Sequence, residues 1–416
     1  MLFGEETSAP PVPAGRGQGC PFGFTPETAQ TQTEAPGAKV ACPTGIDAWL
    51  ITRYADVREV FADTARFSSQ PGSIAHLVHG LNPDAPIVEG DFPRMDGAEH
   101  LRLRRAIAPE LSPRQLDALR PAVQRIVDDL IDELATAPGP ADFCTQLITP
   151  VTTQVIARLL DVPYADRGVF QKTAMTLFDT TTSEDEVIKV GLPLFEYLLK
   201  LVQDRRGNPG EDLLSRIIAR GERTERPFTD TELVMTSAAL LVGGFASTDT
   251  IAACGLLALF QQPTQLDRLR AEPEQAGNAV EELIRFGTSS LPGSVLRRAT
   301  EDTHIAGQAV AAGDYVVAVV QTANREEALV PDPDVLDIGR KPVPHLGFGH
   351  GPHQCVGQQL ARLELKAVFE TLLRRIPTIR PALPLEQIVF KKDSVVPGPA
   401  ALPITWEAVL PARETQ

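Results

Sequence analysis

His345 to Ala361 reads H-L-G-F-G-H-G-P-H-Q-C-V-G-Q-Q-L-A, and this stretch decides the fold. Gly347, Gly349, Gly351 and Pro352 keep the backbone out of regular structure up to Cys355. From Val356 onward Leu360, Leu363, Val368 and Leu372 recur at spacings of three to five, which predicts a helix. Cys355 is therefore expected in that helix's first turn, where free N–H groups and the dipole's positive end favour a thiolate. A thiolate held by a glycine-rich loop can serve as an axial ligand to haem iron. The competing reading is a buried cysteine that happens to precede a helix.

Size and composition narrow the classes. The chain has 416 residues, 43% of them hydrophobic, enough for a large core, and no linker-like break divides its interior. A formal net charge of -15 argues against nucleic acid or an anionic membrane as partner. No apolar run is expected to approach the roughly 18 residues that a bilayer span needs, and no signal peptide is read. Cys20, Cys42, Cys144, Cys254 and Cys355 are odd in number and scattered, with no C-x-x-C pair. That fits a reduced cytosolic protein without a disulfide framework or a zinc site.

Residues 1–41 are rich in Pro, Gly, Thr and Glu and read as a mobile arm, with one domain expected over 42–416. The middle of the chain is helical, and short strands cluster at both ends, so the fold class is mainly α with small β-sheets. Gln70 to Asp96 is a long loop of the kind that is usually functional. Thr229 to Glu232 forms a capping box, and the helix it opens is expected to run to Gln262, before Pro263. Its apolar character on nearly all sides places it in the core. In its middle, Gly243 and Gly244 together cost about 2 kcal/mol of helix stability, a weakness kept for close approach of a flat ligand or tolerated by accident.

The order Phe348, Gly349, Gly351, His353, Cys355, Gly357 is too specific for a chance cysteine. It resembles the haem-binding signature of the cytochromes P-450, F-G-x-G-x-H-x-C-x-G, at every position named. The resemblance implies a triangular, α-rich prism with a long central helix over haem b, Cys355 on the iron, and Phe348, Gly349 and Gly357 cradling the cofactor. The pair His100 and Arg104 matches the family's H-x-x-x-R, which binds haem propionate, although a solvated basic face is the plain alternative. Arg297 matches an R-x-A propionate position, with Arg298 beside it, and His353 is a third plausible contact.

L-L-V-G-G-F-A-S-T-D-T resembles the family's A-G-x-[D/E]-T-T motif, whose acid and alcohol deliver protons during oxygen activation. Gly243 replaces Ala, Gly244 is kept, Ala246 stands where the acid belongs, and Ser247 and Thr248 fill the alcohol positions. Gly244, Ala246, Ser247 and Thr248 are thus the catalytic candidates, with Asp249 one turn from Ala246. Glu282 and Arg285 resemble the family's E-x-x-R brace, with Arg325 as its third member. Substrate contacts are expected from Val88, Gly243, Leu291, Val295 and Leu296, although the last three could be plain strand core. His76, His79, His304, His345 and His350 read as surface or loop residues.

The implied activity is a monooxygenase hydroxylating or epoxidising a small organic molecule in secondary metabolism. Ferredoxin and ferredoxin reductase would supply its electrons, and Arg102, Arg105, Arg362 and Lys366 are candidates for the docking face. Because of Ala246, an atypical haem-thiolate enzyme performing oxidative coupling or peroxide-driven oxidation is the alternative. A non-enzymatic haem sensor is a third reading.

Overall fold

A helix of 32 residues, buried on nearly every side, sets the architecture. The computed structural model describes residues 37–136, 139–288 and 294–412. Its helices are α1 (Tyr54–Ala62), α2 (Gly97–Ile107), α3 (Pro113–Thr136), α4 (Thr149–Leu159), α5 (Arg167–Leu177), α6 (Glu184–Gly207), α7 (Leu213–Gly221), α8 (Asp230–Gln261), α9 (Pro263–Ala271), α10 (Ala276–Gly287) and α11 (Gln358–Arg375), with shorter turns between them. The central α8 begins with the expected capping box: Thr229 Oγ1 accepts from the Glu232 amide and the Glu232 side chain accepts from the Thr229 amide. It ends where Pro263 would break its hydrogen-bond ladder. Helices α4, α5, α6 and α10 pack against it, and α11 crosses behind.

By length and composition α8 could cross a membrane, contrary to the expectation from hydropathy. Its most apolar window is 67% buried inside the protein, as befits a core helix.

The strands are β1 (Ala38–Ala41), β2 (Asp47–Ile51), β3 (Phe67–Ser68), β4 (Ala141–Asp142), β5 (Ser294–Ala299), β6 (Thr303–Ile305), β7 (Gln308–Val310), β8 (Tyr315–Val319), β9 (Arg380–Pro381) and β10 (Pro403–Thr405). A five-stranded sheet has the order β1-β2-β8-β5-β3, a second is β4-β10-β9, and β6 pairs with β7. Ala38 to Ala41 pair with Leu50 to Asp47 in antiparallel register. Residues 38–41, which the sequence reading placed in the arm, are therefore a strand of this sheet, because a neighbouring strand offers their backbone partners; residues 1–36 lie outside the described set. Strand β5 runs antiparallel to β8, with Val295 opposite Ala318 and Arg297 opposite Val316.

Candidate functional site: a thiol cradle facing the central helix

Between α8 and the cysteine loop lies a cavity of about 410 Å³. Cys355 and Gly357 line one wall; Gly243, Gly244, Ser247 and Thr248 line the wall opposite. Arg104, Arg297 and His353 line it as well. These residues come from stretches far apart in sequence, and the fold brings them together.

Helix α11 starts at Gln358 with Gly357 as its N-cap, so Cys355 stands just before the helix and not in its first turn. The reason is local. A tight turn over Gly351–His353 uses the preceding residues, and the Cys355 amide donates to the Phe348 carbonyl at 2.8 Å. Gly349 and Gly351 hold φ of 70° and 71°, and a Cβ on Gly351 would lie 2.5 Å from the Phe61 carbonyl oxygen. Only glycine fits there. Cys355 is exposed to the cavity yet enclosed by protein, and burial pushes its thiol up. Backbone N–H groups of Gly357 and Gln358, with Arg104 and Arg362, oppose that rise. The loop thus has thiolate-stabilising groups in place, but burial outweighs them in the protein alone.

Arg297 carries the clearest sign of an intended anion. Its Nη1 donates to the Leu296 carbonyl at 2.9 Å, its Nε is buried with no partner, and burial lowers it to about 10. Arg104 Nη2 donates to the Gln354 carbonyl. His353 Nε2 sits 2.9 Å from Asp96 Oδ1; burial works against that carboxylate's charge, but bonds from His353, Ser68 and the Ser69 amide keep it below the usual range. His100, expected to reach a propionate, is placed differently. Its Nδ1 lies 2.9 Å from the Phe92 carbonyl and its Nε2 3.1 Å from the Pro352 carbonyl, so it braces the cysteine loop and is not a lining residue. Its ring packs 4.0 Å from that of His353.

Across the cavity, the glycine pair divides its work. A Cβ at Gly243 would meet nothing within 4 Å, whereas one at Gly244 would meet Ile156 at 3.0 Å. Ser247 Oγ donates to the Gly243 carbonyl at 3.2 Å, the usual return of a helical serine to its own backbone. Ala246 is half-buried against the hydrophobic core and is not a lining residue.

Some expected substrate contacts move. Val88 is 48% exposed and does not line this cavity; Ser73, Phe92 and Pro93 of the same loop do. Strand alternation sends Val295 and Arg297 to the cavity and Leu296 into the core beside Val317 and Val319. Leu291 lies outside the described residues. His76 is not a surface residue: it is fully buried, 2.9 Å from Ser294 Oγ, and burial lowers it to about 3. His345 is likewise enclosed, 3.2 Å from Glu281.

Behind the cavity, Arg285 grips Glu282 through two 2.8 Å bonds, and both are buried. Arg285 also donates to the Asn324 and Pro333 carbonyls, tying α10 to the chain that leads to the cysteine loop. Arg340, which sequence reading missed, donates to Glu282 at 3.2 Å. Arg325 donates to Asp334 at 2.6 Å and to the Phe286 carbonyl. Nothing in the spacing around Arg340 marks it, since its partner is 58 residues away.

These features fit an iron porphyrin: a thiol below, open backbone above, and a buried cation short of a partner at the edge. A family model for cytochrome P-450 matches residues 169–379. The chain belongs to the cytochrome P-450 family. It is 39% identical over 413 residues to cytochrome P-450-SU2 of Streptomyces griseolus, covering 96% of this chain and 99% of that one. It is 40% identical over 382 residues to nocardicin C N-oxygenase of Nocardia uniformis subsp. tsuyamanensis, covering 92% and 95%. Among solved structures, CYP105P1 in complex with filipin I superposes with a TM-score of 0.89 at 37% identity, covering 96% and 100%. Membership makes the chain a P-450 oxidoreductase of the monooxygenase type with a haem-thiolate cofactor, a small-molecule substrate and external redox partners.

Proposed function

We propose that this P-450 binds haem b through Cys355 and hydroxylates or epoxidises a small organic molecule of secondary metabolism, with electrons from a ferredoxin and its reductase in the cytosol. Related proteins carry such names: a mycinamicin IV hydroxylase/epoxidase from Micromonospora griseorubida and a 20-oxo-5-O-mycaminosyltylactone 23-monooxygenase from Streptomyces fradiae, each 34% identical to this chain. The observation that carries the reading is the opposition of Cys355 to Ser247 and Thr248 across one cavity, with the unpartnered Arg297 Nε on its wall.

When bound, haem supplies oxygen activation and electron storage that no side chain can. The chain's own residues do the rest. Cys355 would hold the haem as its thiolate, which the Gly357 and Gln358 amides favour. Arg104, Arg297 and His353 would hold the cofactor's carboxylates, Arg as a fork matched to that group. Gly243 leaves space for close approach, while Ser247 and Thr248 hold hydroxyl protons at the cavity wall. Phe92, Pro93 and Val295 shape an apolar substrate chamber that excludes water. Of the basic docking candidates, Arg102 pairs with Glu99 and Glu232, and Arg362 with Glu281, which leaves Arg105 and Lys366 freer to meet an acidic ferredoxin.

Ala246 supports a second reading, oxidative coupling or peroxide-driven oxidation, because no carboxylate stands at that place. Labelled O₂ separates the two: turnover with substrate, NADPH, ferredoxin and reductase puts one labelled oxygen atom into product under the first reading. Turnover without incorporation sinks it.

A further inference from the structure

Glu281 has no part in the reaction proposed above, yet two side chains from the cysteine-loop region converge on it. Arg362 donates to it from Nε at 2.6 Å and from Nη2 at 3.0 Å, a two-pronged grip on both carboxylate oxygens. His345 Nε2 lies 3.2 Å from the Glu281 Oε2. The Gly347 amide donates to His345 Nδ1 at 3.2 Å, which puts the ring proton on Nε2, facing Glu281. So held, the imidazole is neutral, and the Glu281 charge is met by Arg362 alone. The Arg362 and Glu281 side chains are 27% and 20% exposed, so solvent screens the pair only in part.

This pair stands directly against the cysteine loop. The Arg362 guanidinium lies 4.5 Å from the centroid of the Phe348 ring, and the Phe348 carbonyl accepts from the Cys355 amide at 2.8 Å. Arg362 Nη1 also donates to Gln358 Oε1 at 2.9 Å, at the start of α11. Phe348 and Cys355 line the cavity and Arg362 does not, so its charge acts on the sulfur through the loop. Arg104 and Arg362 both oppose the effect of burial on the Cys355 thiol. Arg104 bonds to a neutral group, the Gln354 carbonyl, whereas Arg362 is matched charge for charge. The sulfur therefore faces one full positive charge and one that is neutralised.

We propose that Glu281 cancels the Arg362 charge beside the cysteine loop, keeps the Cys355 thiolate a strong electron donor to the haem iron, and so holds the iron's reduction potential low. A positive charge left bare there would favour the ferrous state, which carries one electron more than the ferric. That reduction takes one electron from the external redox partner, and no bond at Glu281 or Arg362 forms or breaks. Neither side chain lines the cavity, so both are positioning residues. The inference rests on Cys355 as the iron's ligand.

The test is a cycle of Glu281→Gln, Arg362→Gln and the double variant in the haem-loaded protein, without substrate or redox partner. Spectroelectrochemical titration reads the ferric–ferrous midpoint, and the infrared C–O stretch of the ferrous carbon monoxide complex reads thiolate donation. Glu281→Gln leaves a bare positive charge. It is expected to raise the ferrous-to-ferric ratio at fixed potential about tenfold, a midpoint roughly 59 mV higher. Arg362→Gln leaves a bare negative charge and should lower the midpoint by a similar step, and the double variant should return near wild type. The C–O stretch should rise in the first variant and fall in the second. Arg362→Lys keeps the charge and should stay near wild type; its contrast with Arg362→Gln decides the sign even if Glu281→Gln fails to fold. Shifts of the same sign in both single variants, or no shift in either, overturn the inference, because lost packing does not follow the sign of a charge. A wild type without the family's carbon monoxide band would instead sink Cys355 as the ligand, and the inference with it.

Discussion

The Cys355 amide donates to the Phe348 carbonyl at 2.8 Å, closing the loop that presents the sulfur to the cavity. Arg362 lies over the Phe348 ring, 4.5 Å from its centroid, and is itself held by Glu281 at 2.6 Å. The cysteine is thus fixed from outside the cavity, and its side chain is free on the cavity side.

Cys355→Ser is therefore expected to keep the fold but lose thiolate ligation. The loop's hydrogen bond comes from the backbone, and serine preserves it. The carbon monoxide difference band of the reduced protein should disappear while circular dichroism stays unchanged. A surviving band would show that another residue binds the iron.

Glu282 and Arg285 form a buried pair whose loss should be felt globally. Arg285→Leu leaves Glu282 with Arg340 and the Asp337 amide as hydrogen-bond donors among the described residues, and strips the Asn324 and Pro333 carbonyls of their Arg285 bonds. Removing one partner of a buried pair costs about 3–5 kcal/mol. Thermal unfolding should show a markedly lower midpoint, together with poor haem incorporation because the same segment leads to the cysteine loop. Arg325→Leu should cost less, because its ion-pair partner Asp334 is 77% exposed.

The large local features are legible in the amino-acid sequence: the glycine loop, the Thr229–Glu232 box and the length of α8 each follow from neighbouring residues. What escapes such a reading depends on distant partners or on strand facing. The Arg340–Glu282 contact spans 58 residues. Leu296 and Val295 differ only in which side of β5 they occupy, and a six-residue strand with apolar residues on both faces does not declare its inside. Helix α11 begins later than its apolar spacing suggests because the loop's own hydrogen bonds occupy Cys355. The buried Asp249 and Glu364 resemble ordinary helical acids in sequence: α8 is apolar on all sides and gives no periodicity to say which side is dry, and Glu364 lies between Arg362 and Lys366 on α11.

Arg297→Gln should weaken haem retention. Its Nε is buried without a partner, and a hydrogen bond to a charged group contributes about 1.5–3 kcal/mol, or roughly 10–100-fold in haem affinity. Haem transfer to an excess of an apo-globin acceptor measures the rate of loss, which is expected to rise by that order. His100→Gln, by contrast, should act on loop order, with the smaller effect on haem loss.

Acid stability should depend on Glu281. Burial opposes its charge, but His345 and Arg362 overcome that and hold it at about 2, against the usual 4.5. A carboxylate depressed in the folded state contributes fully above pH 4.5, and the contribution is lost as pH falls from there toward 2. Glu281→Gln is expected to be less stable than wild type by about 2 kcal/mol at neutral pH. The two denaturation curves should approach each other as pH falls below 4.5 and converge near pH 2; a gap independent of pH would show that packing, not charge, is what the residue contributes.

Ala246→Glu tests whether the missing carboxylate limits proton delivery. Position 246 is half-buried and does not line the cavity, but it stands three residues after Gly243, which does and beside which a side chain has open space. A glutamate there is expected to raise product formed per NADPH and to lower peroxide released, since general-acid assistance is worth about 10²–10⁴-fold where the acid is within reach. An unchanged or lower ratio would mean that the Ser247 and Thr248 hydroxyls and water already deliver the protons.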